Sequence, residues 1–385
     1  MMGYSAGFGR AAFLLPLFAL LPGIAAAAEP GPRDWWYELQ RGRLLFGRGD
    51  YGNALMAFED ARRGRRAAFD QMERDLVDLL SLPSVRRMGD SLEWVDRYAR
   101  ERHFAAAAAA LDELYFRVPR ERFGNSALAA LEAFGGLRYF PEAEMWIGRA
   151  FMAGGEPGLA LIQFERALSQ GAAFGSPALE LELLHEIADA RRLRGEYRAM
   201  EAALRSIVEG SALWDDGAGD GWQAGSFVRE AMARTLQADG ADRFLELYRY
   251  GNAHVMRAHR ELGFFYAADG RHGRALEHLM FAFLIQNTVV IDELIRRRFD
   301  FAFTTLGDLA GEIERDMMLS GYAEEMGYYR VAFYLGNALF GSGHERSARG
   351  LWSFVAGRSG AGEWQARAAA QLRSPRIPGP AVGSR

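Results

Sequence analysis

The stretch 47-GRGDYG-52 is the part of the chain whose residue types and spacing most resemble a chemical motif. It reads G-x-G-x-x-G, which cradles the pyrophosphate of a dinucleotide when it follows a strand, and it contains the adhesive tripeptide Arg48-Gly49-Asp50. Four histidines, His254, His259, His272 and His278, form a second group that could hold a metal. Their spacing lacks the i, i+4 interval that would put two ligands on one helix face, so polar packing or surface positions are expected. Asp215, Asp216 and Asp220 could ligate calcium but follow no known calcium-loop spacing, and they read as a solvated turn. No G-x-S-x-G, no H-E-x-x-H and no singled-out carboxylate pair marks a hydrolase.

Composition narrows the chemistry further. The chain has no cysteine and no lysine, so thiol nucleophiles, thiolate metal sites, Schiff bases and a P-loop lysine are excluded. A net charge of −4 is too small to indicate nucleic acid or a membrane surface as partner. Half of the 385 residues are hydrophobic and a quarter are charged, which suits a folded chain with a large buried surface. The expectation is a non-enzymatic protein with no metal and no cofactor.

The elements around Gly47 settle what its glycines are for. Upstream, Trp36, Leu39, Leu45 and Phe46 recur at helical intervals, and downstream Tyr51, Ala54, Leu55 and Phe58 share one helical face. The strand required for nucleotide binding is missing, and Gly49-Asp50 reads as the turn between two antiparallel helices.

The same arrangement returns along the chain. Gly42, Ala54 and Phe58 are spaced by twelve and then four residues, as are Gly148, Ala160, Phe164, then Gly263, Ala275, Leu279, then Gly336, Ala348, Trp352. Weaker copies are Ala188, Met200, Leu204 and Val95, Ala107, Leu111, the latter closed by Pro119. Gly49, Gly155, Gly195, Gly270 and Gly343 each stand seven residues after a first anchor and read as turns. The small anchors are expected where the two helices of a pair cross, with the large residue filling the groove against the next pair. Uneven spacing leaves room for single extra helices over FDQMERDLVDLLSL and NSALAALEAF, and for a degraded pair over FVREAMARTLQADGADRFLELYRY with Gly240 as its turn.

This pattern resembles the tetratricopeptide repeat (TPR), whose consensus has a small residue in helix A and Ala and Phe in helix B. The resemblance implies an all-α fold, a TPR-like α-solenoid of stacked antiparallel helix pairs with inserted helices. It also implies a concave groove lined by helix A residues at fixed offsets from the small anchor. Those offsets give Leu39, Arg43 and Phe46; Met145, Arg149 and Met152; His185, Asp189 and Arg192; Arg260, Phe264 and Ala267; Phe333, Asn337 and Phe340. Such domains often hold a partner's carboxylate, which makes Arg43, Arg149, Arg192, Arg260 and Asn337 the expected contacts, with Phe and Met supplying area.

The first residues read as an address. Arg10, the apolar run AAFLLPLFALLPGI and the exit AAAAEP have the form of a secretory signal peptide over 1–28, with no cysteine for lipid anchoring. The expected layout continues with a TPR-like block over 29–210, a Gly/Asp-rich loop over 211–225, a second block over 226–373 and a Pro/Gly-rich tail over 374–385. The sequence thus describes an exported, periplasmic or secreted scaffold that binds a protein or peptide, with no nucleic acid and no lasting membrane insertion. The second reading is a small-ligand or transport accessory protein with a closed cavity lined by Phe264, Phe281, Phe283, Phe301 and Phe303. Chemistry of an unexpected kind would have to hide in the insert RRRFDFAFTTLGDLAGEIERDMM.

Overall fold

A computed structural model of the chain describes residues 35–81, 140–170, 177–210 and 224–376. Among them every regular element is helical. In order these are α1 (Trp35–Gly47), α2 (Tyr51–Ser81), α3 (Pro141–Ala153), α4 (Pro157–Leu168), α5 (Pro177–Leu193) and α6 (Tyr197–Glu209). They continue with α7 (Ala224–Asp239), α8 (Ala241–Leu247), α9 (Ala253–Ala268), α10 (His272–Arg297), α11 (Leu306–Arg315) and α12 (Met317–Glu325). The last are α13 (Tyr328–Gly341), α14 (Glu345–Ala356), a 3-10 turn (Ser359–Ala361) and α15 (Glu363–Arg373). The chain divides into two compact units, Met1–Trp146 and Ile147–Arg385, with the division falling within α3.

Five helix pairs are closed by the same turn. Gly49, Gly155, Gly195, Gly270 and Gly343 all have φ between 74° and 87°, the left-handed region open to a residue without Cβ. At the first, Gly49 N–H donates to Phe46 O at 2.9 Å and Asp50 N–H donates to Leu45 O at 3.0 Å. The same two bonds recur at Gly155/Glu156, Gly195/Glu196, Gly270/Arg271 and Gly343/His344. This is the Schellman motif, in which backbone N–H groups satisfy the carbonyls left open at a helix end. Gly240, between α7 and α8, also has a positive φ of 87°. Proline occupies the first position of α3, α4 and α5, where its missing N–H would have no helical partner anyway.

The small anchors face the large residues of their own pairs. A Cβ on Gly42 would lie 2.5 Å from Cδ1 of Phe58, and one on Gly148 would lie 2.6 Å from Cδ1 of Phe164. On Gly263 it would meet Cγ of Leu279 at 2.5 Å, and on Gly336 Nε1 of Trp352 at 2.6 Å. The large residue therefore fills the notch in its own partner helix, and Phe58 in addition stacks on Trp146 of α3 at 5.7 Å. Ala54, Ala160, Ala275 and Ala348 are fully buried beside these contacts. In α5 and α6, Ala188, Met200 and Leu204 are likewise buried. The copy expected at Val95, Ala107 and Leu111 lies outside the described residues, as does NSALAALEAF.

The segment FDQMERDLVDLLSL is not a separate helix. It continues α2, a single helix of 31 residues, because no proline interrupts the run after Phe58. The two long gaps between copies hold α7 with α8, and α11 with α12. The loop expected over 211–225 lies outside the described residues except for Ala224 and Gly225, which begin α7.

Helix α10 is the centre of the second unit. It is long and apolar enough to cross a bilayer by length and composition, yet 78% of its most apolar window is buried inside the protein. It packs against α9 and α13. Three successive polar residues, Gln286, Asn287 and Thr288, are buried on it, and each finds a partner. Asn287 accepts from Tyr328 Oη at 2.6 Å, Thr288 Oγ1 accepts from Tyr250 N–H at 3.1 Å, and Gln286 Nε2 donates to Met326 O at 2.9 Å. These bonds fix the start of α13 and the approach to α9 against α10, since a buried amide or hydroxyl without a partner is costly.

Candidate functional site

The first helices of successive pairs meet one another through a fixed register. The residue one position after the small anchor contacts the residue six positions before the anchor of the next first helix. Arg43 donates to Glu142, within the first unit. In the second unit Arg149 pairs with Glu182, and its Nε also donates to Glu186 at 2.9 Å. At the next junction the charges exchange sides, and Arg257 donates to Asp189. At the fourth, between α9 and α13, Phe264 stands where a carboxylate would be, and the Arg330 guanidinium lies 4.2 Å from the centre of its ring.

The fourth junction is therefore cationic and aromatic. Arg330 also lies 5.9 Å from the Tyr334 ring centre and 5.8 Å from that of Trp364. The rings touch one another, Phe264 to Tyr334 at 5.1 Å and Tyr334 to Trp364 at 5.7 Å. Arg260, one turn before Phe264, donates to Met326 O at 2.9 Å. Burial holds the Arg260 guanidinium below its ordinary pKa; the like charges of Arg257 and Arg330 push the same way and Glu261 opposes them. Among the described residues no carboxylate pairs with Arg260 or Arg330.

The expected groove residues fall into four groups. Leu39, Met145, Phe333 and Asn337 are buried and so do not line an open surface. Asn337 is held inside by Trp352 Nε1, which donates to its Oδ1 at 3.1 Å. Arg43, Arg149 and Arg192 are engaged by carboxylates of this chain, Arg192 by Asp189 at 2.9 Å. Phe46 packs against Tyr51 and Trp146. Of the neighbours of these positions, His185 is buried, while Met152, Ala267 and Phe340 are partly exposed. Arg260 and Phe264 are the expected contacts that reach the cationic junction. Arg330, Tyr334 and Trp364 were not expected there.

The histidines separate as well. His259 and His278 meet through their Nδ1 atoms at 3.1 Å, across α9 and α10, although nineteen residues apart in sequence. His259 also stacks on Phe281 at 5.0 Å. Burial, and then the neighbouring His278, holds His259 well below the usual imidazole range. Burial, with the charges of Arg205 and Arg274 adding to it, brings His278 down to about 3. Both rings are neutral at physiological pH. Among the described residues no group of three or more His, Cys, Asp or Glu could hold a metal ion. Asp215, Asp216 and Asp220 lie outside those residues.

The glycine-rich motif is accounted for by the turn between α1 and α2. Asp50 accepts from Asn53 N–H at 3.3 Å and from Asn53 Nδ2 at 2.8 Å, so its carboxylate serves the start of α2. Of the phenylalanines of the second reading, Phe264, Phe301 and Phe303 are partly exposed. Phe281 and Phe283 are fully buried in the core, packed against Tyr250 and Tyr328 respectively. A cavity of about 340 Å³ does lie between α11, α12, α13 and α15, lined by Glu314, Glu324, Tyr329, Arg330, Glu363 and Trp364 among others.

The described residues form an all-helical protein of hairpin pairs, and in the second unit arginines recur at the contacts between first helices. No protein-family model matches the chain. It is similar to an uncharacterized protein of Treponema pallidum (strain Nichols), 24% identical over 340 residues, which cover 88% of this chain and 90% of that one.

Proposed function

We propose that the chain is an exported TPR-like solenoid that works as a non-enzymatic scaffold, holding a segment of a partner protein along the first helices of its pairs. The observation that carries this reading is the register joining α5, α9 and α13, which arrays arginine and aromatic side chains along one row. Arginine with aromatic residues is the composition enriched at protein interfaces, and the planar guanidinium can grip a carboxylate in two places. The five identical turns support the repeat character, since one connector used five times is what a chain of duplicated hairpins would carry.

The test is capture of partners by the full chain, immobilised and exposed to extract of the producing cell's envelope, followed by mass spectrometry. Arg330→Ala and Arg260→Ala chains run in parallel should recover the specific partners poorly. A chain that captures nothing above background would remove the scaffold reading. Equal recovery by wild type and both variants would keep the scaffold and move its binding face elsewhere.

A second reading, a small-ligand or transport accessory protein, draws on the cavity of about 340 Å³ beside Arg330 and Trp364. That volume suits a small polar ligand. Saturable heat of binding on addition of a metabolite mixture, abolished by Trp364→Ala, would favour it over the scaffold.

A further inference from the structure

The rule that joins neighbouring first helices makes its exception informative. At three junctions the chain supplies both members of an ion pair: Arg43 with Glu142, Arg149 with Glu182, Arg257 with Asp189. At the fourth it supplies the arginine and withholds the carboxylate, with Phe264 in its place. Arg330 is exposed there and Arg260 is partly buried one turn away, each within the other's field. Two like charges held near one another repel, and partial burial of one of them deepens the penalty, which Glu261 opposes. A glutamate at position 264 would complete the pair as at the other junctions, whereas Phe264 packs against the core and against Tyr334 at 5.1 Å.

We infer that the α9–α13 junction is the docking point for an acidic segment of a partner protein, in which a carboxylate takes the position that Phe264 leaves without one and an adjoining aromatic side chain lies on the Phe264, Tyr334 and Trp364 rings. This rests on the scaffold reading and specifies where its contact lies and what chemistry it selects. Charge complementarity fixes the acidic character, since Arg330 and Arg260 form no ion pair among the described residues while Arg257 is already engaged by Asp189 and Glu261. The flat half-exposed rings fix the aromatic character, because stacked or edge contacts between rings give contact area at little conformational cost. The other first-helix arginines are occupied by this chain's own carboxylates and contribute no free charge to the contact.

The probe is a random copolymer of Glu and Tyr, fluorescently labelled, with polyglutamate and a Lys–Tyr copolymer alongside, titrated by anisotropy into the full chain. Binding is expected in the order Glu–Tyr copolymer, polyglutamate, with none for Lys–Tyr. Phe264→Glu, which rebuilds the internal pair, and Arg330→Ala, which removes the exposed charge, should each weaken Glu–Tyr binding about tenfold or more. Arg205→Ala, at an exposed pair with Glu209 on α6, should leave it unchanged. Circular dichroism and a thermal melt check that Phe264→Glu is folded, and Arg330→Ala alters only an exposed side chain. The inference is overturned if the wild-type chain does not bind the Glu–Tyr copolymer, or if neither substitution weakens it. If the Phe264→Glu chain still captures the envelope partners of the wild type, this docking point falls and the scaffold reading stands; if the wild type captures none, the scaffold reading falls by itself.

Discussion

The Phe164 ring occupies the space in which a side chain on Gly148 would begin, with Cδ1 of the ring 2.6 Å from the position of a Cβ. A helix-interior glycine is ordinarily a weakness, so its value here lies in the notch it opens for the ring. Gly148→Ala should therefore destabilise the chain by about 1–3 kcal/mol, although the same exchange on an exposed helix face would stabilise it. Urea denaturation reads the difference. Combining the change with Phe164→Ala, which empties that space, should cost less than the sum of the two single changes.

Two other glycines give opposite signs for backbone reasons alone. Gly155 has φ +78° and open space around it, so Gly155→Ala should cost about 1 kcal/mol through the left-handed conformation. Gly350, within α14, has nothing near its absent Cβ and no positive φ, so Gly350→Ala should add about 0.5–1 kcal/mol. Equal melting temperatures for the two variants would contradict the assignment of the turn.

The buried histidine pair makes stability depend on pH. His259 and His278 are neutral in the folded chain, and unfolding returns each to an ordinary value of about 6.5. Below that pH the unfolded state binds protons that the folded state does not. Their contribution to stability is complete above about 6.5 and declines as the pH falls toward about 3, where His278 titrates in the folded chain. Between pH 6 and pH 5 the loss should approach about 1.4 kcal/mol per pH unit for each histidine. Urea midpoints taken at pH 7, 6 and 5 measure the slope, and His278→Gln should flatten it.

Asn337 is expected to behave as a core residue. Asn337→Ala leaves the buried Trp352 indole N–H without its acceptor, at a cost of about 1–3 kcal/mol in a thermal or urea melt. Glu–Tyr copolymer affinity should not change in the folded variant. A variant of full stability with weakened binding would return Asn337 to the binding face.

The fold was legible where its causes are local. The spacing of Gly42, Ala54 and Phe58 and the position of Gly49 follow from sterics within one hairpin, and those are written in about twenty consecutive residues. The long α2 was misjudged because the end of a hydrophobic pattern is not the end of a helix; with no proline after Phe58, the backbone simply continues. The proposed binding face was harder to read. Offsets of three before and one and four after the anchor select Asn337 and Phe333, but neighbouring helices and the Trp352 indole bury both. Arg330 escaped because its role depends on Phe264, 66 residues earlier, across the inserted α11 and α12. A signal did exist in the exchange of charge between one copy and the next, Arg149 with Glu182 and then Asp189 with Arg257. It becomes visible only once the register between pairs is known.

The turns that close the hairpins are sealed by main-chain bonds and one glycine, leaving the following side chain without a structural duty in common. That place holds Asp50, Glu156, Glu196, Arg271 and His344. Asp, Glu, Arg and His thus all follow the same turn. The closing turn itself thus makes no demand on the charge beside it, and each such residue is free to take up local work of its own, as Asp50 does with Asn53 and Arg271 with Asp269.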